Sequence, residues 1–402
     1  MKTDRVLIIL GQDMQADYHH RGQHLVSFLA KRFVSVDLVS IANMYAGSEG
    51  DSSLKKAVFG LRDVIWKGVE VVQKDNVVNY VVRFPRRPAA VDYLFRDLWS
   101  YARLGRYLNH YYDLCIIGHP RMSFIALRLQ QLHRVGVLIY DDWDHFSSHR
   151  PGGFVWRNSM RLREYICVRK ADAVASVSHG LLELRRKQGA KRSIFVPNGV
   201  DYALFSRAQV RSPHPPTLIY MGNLDEAWGA DLPIHGLPVI RKTIPAIRYV
   251  LLGTGPDEGR LRRLVADLGL EACVEFYGWQ DYATLPSHLA KADIGVATYR
   301  DYEFVRLSRP LKIIEYMAAG LPVIGTRVAG EVQATIDAAA AGETIDFSPA
   351  EFARVTLDLL SNRQKYDQCS ANAISYARSM GWDQLLENEL VFIDDVWHSR
   401  NG

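Results

Sequence analysis

The stretch SRPLKIIEYMAAGLPVIGT, Ser308–Thr326, contains the start of a predicted helix, its end and the strand that follows. Pro310 suits the first turn of a helix, where its missing N–H leaves no hydrogen bond unmade. Gly320 suits the position just past the last turn, where the backbone often becomes left-handed. The apolar run LPVIGT then predicts a short buried strand. A helix that leads directly into a buried strand is typical of an α/β domain.

The same alternation of apolar runs and amphipathic segments continues along the chain. Continuous Val, Ile and Leu runs are typical of parallel strands buried on both faces, and intervening helical patterns such as GQHLVSFLAKRF predict doubly wound α/β domains. The pattern breaks at DYALFSRAQVRSPHPPT, where Pro213, Pro215 and Pro216 favour a linker. The sequence therefore predicts two α/β domains with a cleft between them. The predicted strands are RVLIILG, VDLVSIA, DLCIIGHP, VGVLIYDD, AVASVSH, SIFVPNG, TLIYMGN, RYVLLGTG, CVEFYGW, IGVATY and LPVIGT.

Composition and charge narrow the class of protein. The chain has 402 residues, of which 48% are hydrophobic and 23% charged, as expected for a soluble globular protein of two domains. Residues 1–212 contain 32 Lys and Arg against 19 Asp and Glu, whereas residues 213–402 contain 17 against 25. The basic first half indicates an anionic partner, and nucleic acid, an anionic membrane face and a phosphate-bearing lipid are all consistent with it.

Cysteine usage and hydropathy indicate the compartment. The four cysteines lie far apart and form no CxxC pair, which argues against a zinc ribbon or a disulfide framework and favours a reducing compartment. The sequence has no run of about 18 apolar residues that would span a membrane, and its first residues lack the features of a signal peptide. We therefore expect a cytosolic protein.

Two charged residues mark the start of the predicted helix. Lys312 and Glu315 lie one turn apart near the N-terminus of this helix. Free N–H groups and the positive end of the helix dipole favour phosphate there. Lys312, with Arg309 or Arg306 nearby, adds full positive charge. Glu315 can accept hydrogen bonds from two vicinal hydroxyls, such as those of a ribose. This pattern indicates a nucleotide diphosphate site, and a surface helix with an i,i+3 Lys–Glu pair explains it equally well on local chemistry.

Several landmarks of the chain together resemble the GT-B glycosyltransferases, especially family four. SRPLKIIEYMAAGLPVIGT is similar to the nucleotide-sugar-binding segment of that family, and VPNGVD is similar to the end of its first domain. TLIYMGN, YVLLGTGP, VEFYGW and ARSMGWDQLLENEL match further landmarks in the expected order. The resemblance implies two Rossmann-like domains facing a central cleft. Residues 1–208, with a returning last helix at 383–402, would bind the acceptor, and residues 215–382 would bind the nucleotide sugar.

The chain departs from the family pattern at three positions. Leu307 occupies the place of the first of two glutamates separated by seven residues, and Glu315 matches the second. Asn223 and Trp228 occupy the places of the usual diphosphate-binding arginine and lysine. The nearest substitute cations are Arg306, Arg309 and Lys312. The xanthan-type glucuronosyltransferases, an inverting set of GT-B enzymes, also use a lysine here, and an additional arginine would suit a donor with a carboxylate, such as UDP-glucuronate.

The predicted donor site draws on several segments of the second domain. Glu315 is assigned to the ribose and Lys312 to the diphosphate. The backbone at Gly222 is expected to approach the phosphates, and the loop 278–280 to border the base. The remaining side chains assigned to this site are Asn223, Trp279 and Tyr299.

Three carboxylates lie at the end of the predicted strand VGVLIYDD in the first domain. Open α/β sheets present ligands at this end of their strands, and an inverting transferase needs a general base for the acceptor hydroxyl. Asp144 is the candidate base, with Asp141 or Asp142 as a charged neighbour that would raise its pKa. A helix-capping aspartate beside two solvated ones is the alternative. By the family resemblance His119, in IIGHPRM, contacts the donor sugar, and a core or capping histidine is the alternative.

Further segments bear on the acceptor and on a membrane. RGQHL, residues 21–25, is similar to a run in GT-B relatives and is expected to order a loop at the acceptor, although a simple helix start is as consistent. SLKKAVFGLRDVIWKGV, residues 53–69, and DYLFRDLWSYARLGRYLNHYY, residues 92–112, mix basic and aromatic residues as bilayer-interface helices do. We expect Trp66 and Trp99 at the level of the lipid headgroups. Packing of the apolar stripe against the sheet is the alternative.

Together these features predict a glycosyltransferase of hexosyltransferase type. It would move a sugar from a UDP-linked donor to a lipid-linked or other glycan acceptor, as a peripheral protein at the cytoplasmic face of the inner membrane. We expect no metal and no cofactor. A sugar-nucleotide epimerase on the same fold and a non-catalytic nucleotide-sugar or glycan-binding module are the alternatives. Nucleic acid is the weakest candidate partner, because the basic residues are dispersed and no reader motif is present.

Overall fold

The computed structural model divides the chain into two compact units. The first unit comprises Met1–Val196 and Leu386–Gly402, and the second comprises Pro197–Leu385. Among the residues that the structure describes, each unit contains one β-sheet with helices packed against it. The residues that the structure describes are 5–11, 14, 21–41, 68–83, 99–148, 153–211, 213–328 and 330–401.

The two sheets are mainly parallel. The strands of the first unit are β1 Arg5–Ile9, β2 Ser35–Ile41, β3 Val69–Lys74, β4 Val77–Val82, β5 Tyr112–Ile117, β6 Val135–Asp142, β7 Ala173–Ser176 and β8 Ser193–Phe195. The strands of the second unit are β9 Thr217–Met221, β10 Arg248–Leu252, β11 Val274–Gly278, β12 Ile294–Ala297, β13 Val323–Thr326 and β14 Gly342–Ile345. Their spatial orders are β3-β4-β2-β1-β5-β6-β7-β8 and β11-β10-β9-β12-β13-β14. The β3–β4 pair is antiparallel.

The helices alternate with these strands along the chain. In the first unit they are α1 Arg21–Ala30, α2 Ser123–Gln131, α3 Phe154–Lys170 and α4 His179–Lys187. In the second unit they are α5 Tyr202–Phe205, α6 Asp231–Thr243, α7 Glu258–Asp267, α8 Leu285–Leu289, α9 Glu303–Leu307, α10 Leu311–Ala318, α11 Glu331–Ala339, α12 Pro349–Ser361 and α13 Arg363–Arg378. The last helix, α14 Trp382–Asn401, lies mostly in the first unit.

Each sheet has its core where apolar strand residues meet the helices. In the first unit Leu7, Ile9, Cys115 and Leu138 are completely buried in one cluster with residues of α2 and α3. In the second unit two clusters contain residues of opposite strand faces, so both faces of the sheet are covered. Strands buried on both faces account for the continuous apolar runs of the sequence. The predicted α/β fold class is confirmed by this architecture.

The β3–β4 hairpin and β14 lie outside the sequence prediction. Residues of β3 after Val69 are exposed, so this edge strand has no continuous buried run to reveal it. The sequence signal for the hairpin is the Asp75–Asn76 pair between the two strands. In the structure Asp75 has the left-handed φ of 54°, and the side chain of Asn76 donates to the carbonyls of Ala30 and Phe33. Asp and Asn tolerate this conformation better than most residues.

The two predicted membrane segments have different outcomes. Residues 53–67, with Trp66, lie outside the described residues. Of the second segment, residues 99–104 are helical. Trp99 packs against the core of the first unit, and the guanidinium of Arg103 lies 4.3 Å from the centre of its ring. Trp99 therefore has the packing role that the sequence left as the alternative, and its assignment to the headgroup level is corrected.

The units divide earlier than the proline cluster suggested. The division lies between Val196 and Pro197, about a dozen residues before the predicted end of the first domain at residue 208. The reason is that Val200, Phe205 and Ala208 are buried in the core of the second unit. The segment before the prolines is thus packed structure and not part of a linker.

Candidate functional site

Helix α10 begins one residue later than the sequence predicts, with Pro310 just before the helix and not in its first turn, and it ends as predicted. Pro310 precedes its first residue with φ of −64° and ψ of 126°, and Gly320 follows with the left-handed φ of 74°. Six residues of the helix, Ile313–Ala318, are buried. Lys312 in the first turn and Glu315 one turn later carry its charges.

Three aromatic rings surround the ammonium group of Lys312. Its Nζ lies 4.0 Å from the ring centre of Tyr220, 5.2 Å from that of Tyr299 and 5.9 Å from that of Trp228. Trp228 also packs edge-on against Tyr299. Lys312 makes no ion pair among the described residues. Aromatic faces attract a cation but supply no counter-charge, so the protonated amine can pair with a bound anion.

Burial shifts the pKa values of Lys312 and Glu315 toward neutral pH, downward for the lysine and upward for the glutamate. Burial lowers the pKa of Lys312 to about 7, against the effect of Glu315. Burial raises the pKa of Glu315 to about 7, although a hydrogen bond from the Tyr282 hydroxyl and the charge of Lys312 both lower it. Tyr282 is far from α10 in the sequence, and no local pattern pointed to it. Both groups therefore exchange protons near pH 7.

Two glycines allow close approach of the backbone beside Lys312. Gly222 and Gly253, just past the ends of β9 and β10, each have φ of 132°. A Cβ atom on Gly253 would lie 2.0 Å from the carbonyl oxygen of Gly222. A Cβ atom on Gly222 would lie 2.9 Å from Nζ of Lys312. Both positions require glycine, and the backbone at Gly222 adjoins the ammonium. Its approach to the phosphates stays a prediction.

The two arginines assigned to the diphosphate have carboxylate partners of their own. Arg309 is buried and forms an ion pair with the buried Glu331. Arg306 is exposed, and its Nε and Nη2 donate to the two carboxylate oxygens of Asp301 at 2.5 and 2.7 Å. Each arginine thus already has a carboxylate partner, and the assignment of both to the diphosphate stays a prediction. Lys312 is the cation that the structure places at the start of α10.

Asn198 of the VPNGVD motif supports the start of the same helix. Its Nδ2 donates to the carbonyl oxygen of Arg309 at 3.0 Å, one residue before Pro310. Its Oδ1 is buried and has no hydrogen-bond partner among the described residues. The motif was visible in the sequence, but the contact joins residues 111 positions apart, so the role of Asn198 emerged only from the fold.

The other predicted donor-site residues lie on three loops. Asn223 accepts a hydrogen bond at its backbone oxygen from the hydroxyl of Tyr220 at 2.6 Å. Tyr299 is buried beside Lys312, and its hydroxyl has no hydrogen-bond partner among the described residues. Trp279, at the end of β11, is 48% exposed. Tyr299 thus lies beside Lys312, and Asn223 contacts Tyr220, another ring beside Lys312. Trp279 is exposed to solvent.

In the first unit, Asp141 is fully buried against Arg21 of α1. Nε of Arg21 donates to the two carboxylate oxygens at 2.8 and 2.9 Å, and Nη2 donates to Glu389 of α14 at 2.6 Å. Burial raises the pKa of Asp141 against the effect of Arg21, and burial raises the pKa of Glu389 to about 8. Arg21, the first residue of RGQHL, therefore joins β6, α1 and the last helix.

Asp142 pairs with a second buried arginine. Nε and Nη2 of Arg185 in α4 donate to its carboxylate at 2.8 and 2.9 Å. The same arginine lies 3.5 Å from Glu164 of α3. Because Asp141 and Asp142 are both buried and paired, neither is a charged neighbour in an open site. Their assignment as catalytic residues is corrected to a structural one.

Asp144 and His119 lie past the C-terminal ends of the neighbouring strands β6 and β5. Asp144 is partly exposed, and its Oδ1 accepts from the N–H of His145 at 2.9 Å. The ring of His119 packs on Phe146 with ring centres 4.1 Å apart, and its Nδ1 accepts from the N–H of Arg121 at 3.0 Å. His119 thus caps the short turn that follows, the alternative that the sequence left open. In the neutral ring the proton is on Nε2.

Other features of the described ranges bear on function. Within them no group of three or more His, Cys, Asp and Glu side chains is arranged to hold a metal ion. In the same ranges none of the helices combines the length and apolar character needed to cross a membrane. The four cysteines are buried and unbridged.

Comparison with known proteins identifies the class of this fold. Residues 215–362 match the family described as glycosyl transferases group 1. Anabaena HepE, solved in complex with UDP-glucose, superposes with a TM-score of 0.69 at 16% identity, covering 97% of this chain and 99% of that one. Residues 215–362 are therefore similar to this glycosyltransferase family, and the chain has the GT-B fold, which confirms the predicted resemblance.

Curated relatives are similar over part of their length. One component of the phosphatidylinositol N-acetylglucosaminyltransferase of Arabidopsis thaliana is 28% identical over 269 residues, which are 65% of this chain and 58% of that protein. The putative colanic acid biosynthesis glycosyltransferase WcaL of Escherichia coli K12 is 30% identical over 168 residues, 40% of this chain and 41% of that protein. The chain thus spans about half the length of the curated relatives it matches.

Proposed function

We propose that this protein is a glycosyltransferase that binds a nucleotide-sugar donor in its second unit and a lipid-linked or other glycan acceptor in its first. The relatives named as glycosyltransferases of glycolipid and polysaccharide synthesis support this class of reaction. The match of residues 215–362 to a glycosyltransferase family supports the assignment of donor binding to the second unit.

The observation that carries the proposal is the arrangement at the start of α10. The ammonium of Lys312 has no ion pair among the described residues and lies beside the backbone of Gly222. The free N–H groups and dipole of the helix start favour a phosphate at the same place. Glu315 lies one turn further with carboxylate oxygens that can accept from ribose hydroxyls. A cation and a carboxylate one turn apart fit the diphosphate and ribose of one nucleotide.

The buried hydroxyl of Tyr299 adds a donor for the same ligand. Buried polar groups are nearly always hydrogen-bonded, and this one has no partner among the described residues. Its ring lies against the group that we assign to the diphosphate. A phosphate oxygen or a sugar hydroxyl would satisfy it. We assign Trp279, whose ring is half exposed, to contact with the base.

We favour a UDP-linked neutral hexose as the donor. HepE was solved with UDP-glucose, which supports this nucleotide. A glucuronate carboxylate would need a cation of its own, and Arg306 and Arg309 each already pair with a carboxylate. A lipid-linked acceptor is supported by the name of the Arabidopsis relative, which includes phosphatidylinositol.

In the first unit we propose Asp144 as the general base if the reaction inverts the anomeric centre. Its partly exposed carboxylate lies at the edge where α/β sheets present ligands. His119 would contribute from the neighbouring strand end. We further propose that the protein acts as a peripheral protein at the cytoplasmic face of the inner membrane. The first unit supports this, because it contains 31 Lys and Arg against 22 Asp and Glu.

The test combines binding and turnover. Calorimetry with UDP and GDP identifies the nucleotide, and Glu315→Ala is expected to weaken UDP binding by about 1–3 kcal/mol, the cost of losing a charged hydrogen-bond partner. Arg306→Ala is the matched control and should leave binding unchanged. Unchanged affinity in both Glu315→Ala and Lys312→Ala would contradict the site. Transfer from a UDP-sugar to a lipid-linked acceptor supports the function, whereas a new sugar nucleotide formed without any acceptor indicates an epimerase.

A further inference from the structure

Helix α3 presents an unusually apolar surface to solvent. Phe154 is 76% exposed, Leu162 59%, Val155 57% and Tyr165 45%. No other helix in the described part of the chain exposes more than one large apolar side chain. Single exposed apolar residues are ordinary, but a group of four on one helix marks an interaction surface.

The exposed residues share one face of the helix. At 100° per residue, Phe154, Leu162 and Tyr165 point within about one quadrant of each other, with Val155 at its edge. Met160 and Cys167 lie on the opposite side and are completely buried. The helix therefore already packs against its sheet with one face and leaves a second apolar face uncovered by the described residues.

The charges of the same surface are all positive. Arg157, Arg161, Arg169 and Lys170 are exposed. Arg157 and Arg161 make no ion pair with any described residue. Glu164 is the only acidic residue of the helix, and it is buried, where it accepts a hydrogen bond from the hydroxyl of Ser147 at 2.7 Å. The burial of Glu164 leaves the outer face without a compensating charge.

We infer that this face of α3, formed by Phe154, Val155, Arg157, Arg161, Leu162 and Tyr165, docks the protein onto an anionic lipid bilayer. An aromatic and aliphatic face flanked by arginines is the composition of helices that lie in a membrane interface. Anionic headgroups complement the arginines, while the acyl boundary accepts the apolar side chains. The net positive charge of the whole first unit acts in the same direction.

This inference deepens the membrane part of the proposed function, because it names the surface that makes contact. It differs from the sequence-based expectation, which assigned the contact to residues 53–69 and 92–112. Helix α3 escaped the sequence analysis because its apolar residues form two faces. A hydrophobicity pattern does not distinguish a face that packs on the sheet from one that stays exposed.

Flotation of the full chain with vesicles tests the inference. Vesicles of phosphatidylcholine with phosphatidylglycerol should bind the protein, and vesicles of phosphatidylcholine alone should bind it weakly. Arg157→Glu/Arg161→Glu should lower the partition coefficient about tenfold or more, since each basic residue near an anionic surface adds to the attraction. Phe154→Ser/Leu162→Ser should lower it without changing the net charge. The matched control is Lys242→Glu/Arg263→Glu, which makes the same change of charge on exposed residues of the second unit.

Three outcomes would overturn the inference. Equal binding by both α3 variants and the control would place the membrane contact elsewhere in the chain. Failure of the wild-type protein to bind anionic vesicles at low salt would remove the membrane contact altogether. Self-association that is lost in Phe154→Ser/Leu162→Ser, without vesicle binding, would assign the face to a second copy of the chain. UDP calorimetry on the same preparations reports on the donor site separately, so either proposal can fail alone.

Discussion

The side-chain amine of Lys312 is charged or neutral depending on what lies beside it. Its pKa of about 7 reflects burial among aromatic rings, and a bound diphosphate would stabilise the charged form. Glu315, with a pKa also raised to about 7 by burial, is already mostly ionised at pH 8. The empty site therefore holds a largely neutral lysine in mildly alkaline solution, and the occupied site should hold a charged one.

Binding of a nucleotide sugar near pH 8 should therefore take up protons, to a limit of about one per site. UDP-glucose is a suitable probe, because its diphosphate is esterified at both ends and does not titrate in this range. Calorimetry in two buffers with different ionisation enthalpies measures the uptake. Lys312→Ala should abolish the buffer dependence. Equal enthalpies in both buffers for the wild-type protein would show that Lys312 keeps its charge in the empty site.

Asp144 provides the second prediction at the scale of a residue. If it is the general base, Asp144→Asn should lower turnover about 10²–10⁴-fold while donor affinity stays nearly intact. Steady-state transfer rates and UDP calorimetry on the same variant separate the two effects. Asp142→Asn is not a useful comparison, because it would break a buried ion pair. Wild-type turnover in Asp144→Asn would remove this residue from the mechanism and favour retention.

At the scale of elements, the last helix is fixed to the first unit by a buried network and by a surface ion pair. Arg21 of α1 bridges Asp141 of β6 and Glu389 of α14, and all three side chains are buried. Arg32, two residues past the end of α1, pairs with Glu387 of α14 at 2.5 Å, but both side chains are partly exposed. The two arginines thus form a natural comparison between buried and exposed pairing.

Arg21→Ala should destabilise the protein by about 3–5 kcal/mol, because it leaves two buried carboxylates without their cation. Arg32→Ala should cost less than about 1 kcal/mol, since water screens an exposed pair. Urea unfolding followed by fluorescence measures both free energies. Equal small effects in the two variants would mean that the buried carboxylates rearrange or bind protons at little cost.

At the scale of the whole molecule, the charge follows the division into units. The second unit contains 18 Lys and Arg against 22 Asp and Glu, so its net charge is opposite to that of the first. We assign an anionic nucleotide to the unit that is acidic overall. Net charge therefore does not locate the donor site, which depends on the local cation and helix start.

UDP should protect backbone amides of the second unit from hydrogen exchange. The expected peptides are those that contain Gly222 and the start of α10, because bound ligand reduces local opening there. Mass spectrometry on the full chain with and without UDP measures this. Residues of β1, β5 and β6 in the first unit are the internal control. Protection confined to the first unit would place the nucleotide there and contradict the assignment of roles.

The sequence by itself determined the class of fold and the placement of the main charged pair. Buried parallel strands require continuous apolar runs, and these are readable without any tertiary information. Pro310 and Gly320 fixed the bounds of α10 by local backbone preference. Lys312 and Glu315 were identified for the same reason, since one turn of helix sets their spacing.

Only the tertiary structure decided which charged side chains already pair with each other inside the protein. Arg309 pairs with Glu331, Asp141 with Arg21 and Asp142 with Arg185, and the partners lie 22 to 120 residues apart in the chain. No local pattern reveals such a partner, so the sequence counted structural charges as candidates for the site. The same limit applies to α3, where local amphipathicity could not tell a packed face from an exposed one. Burial and long-range pairing depend on how the elements assemble, and only the assembled fold contains that information.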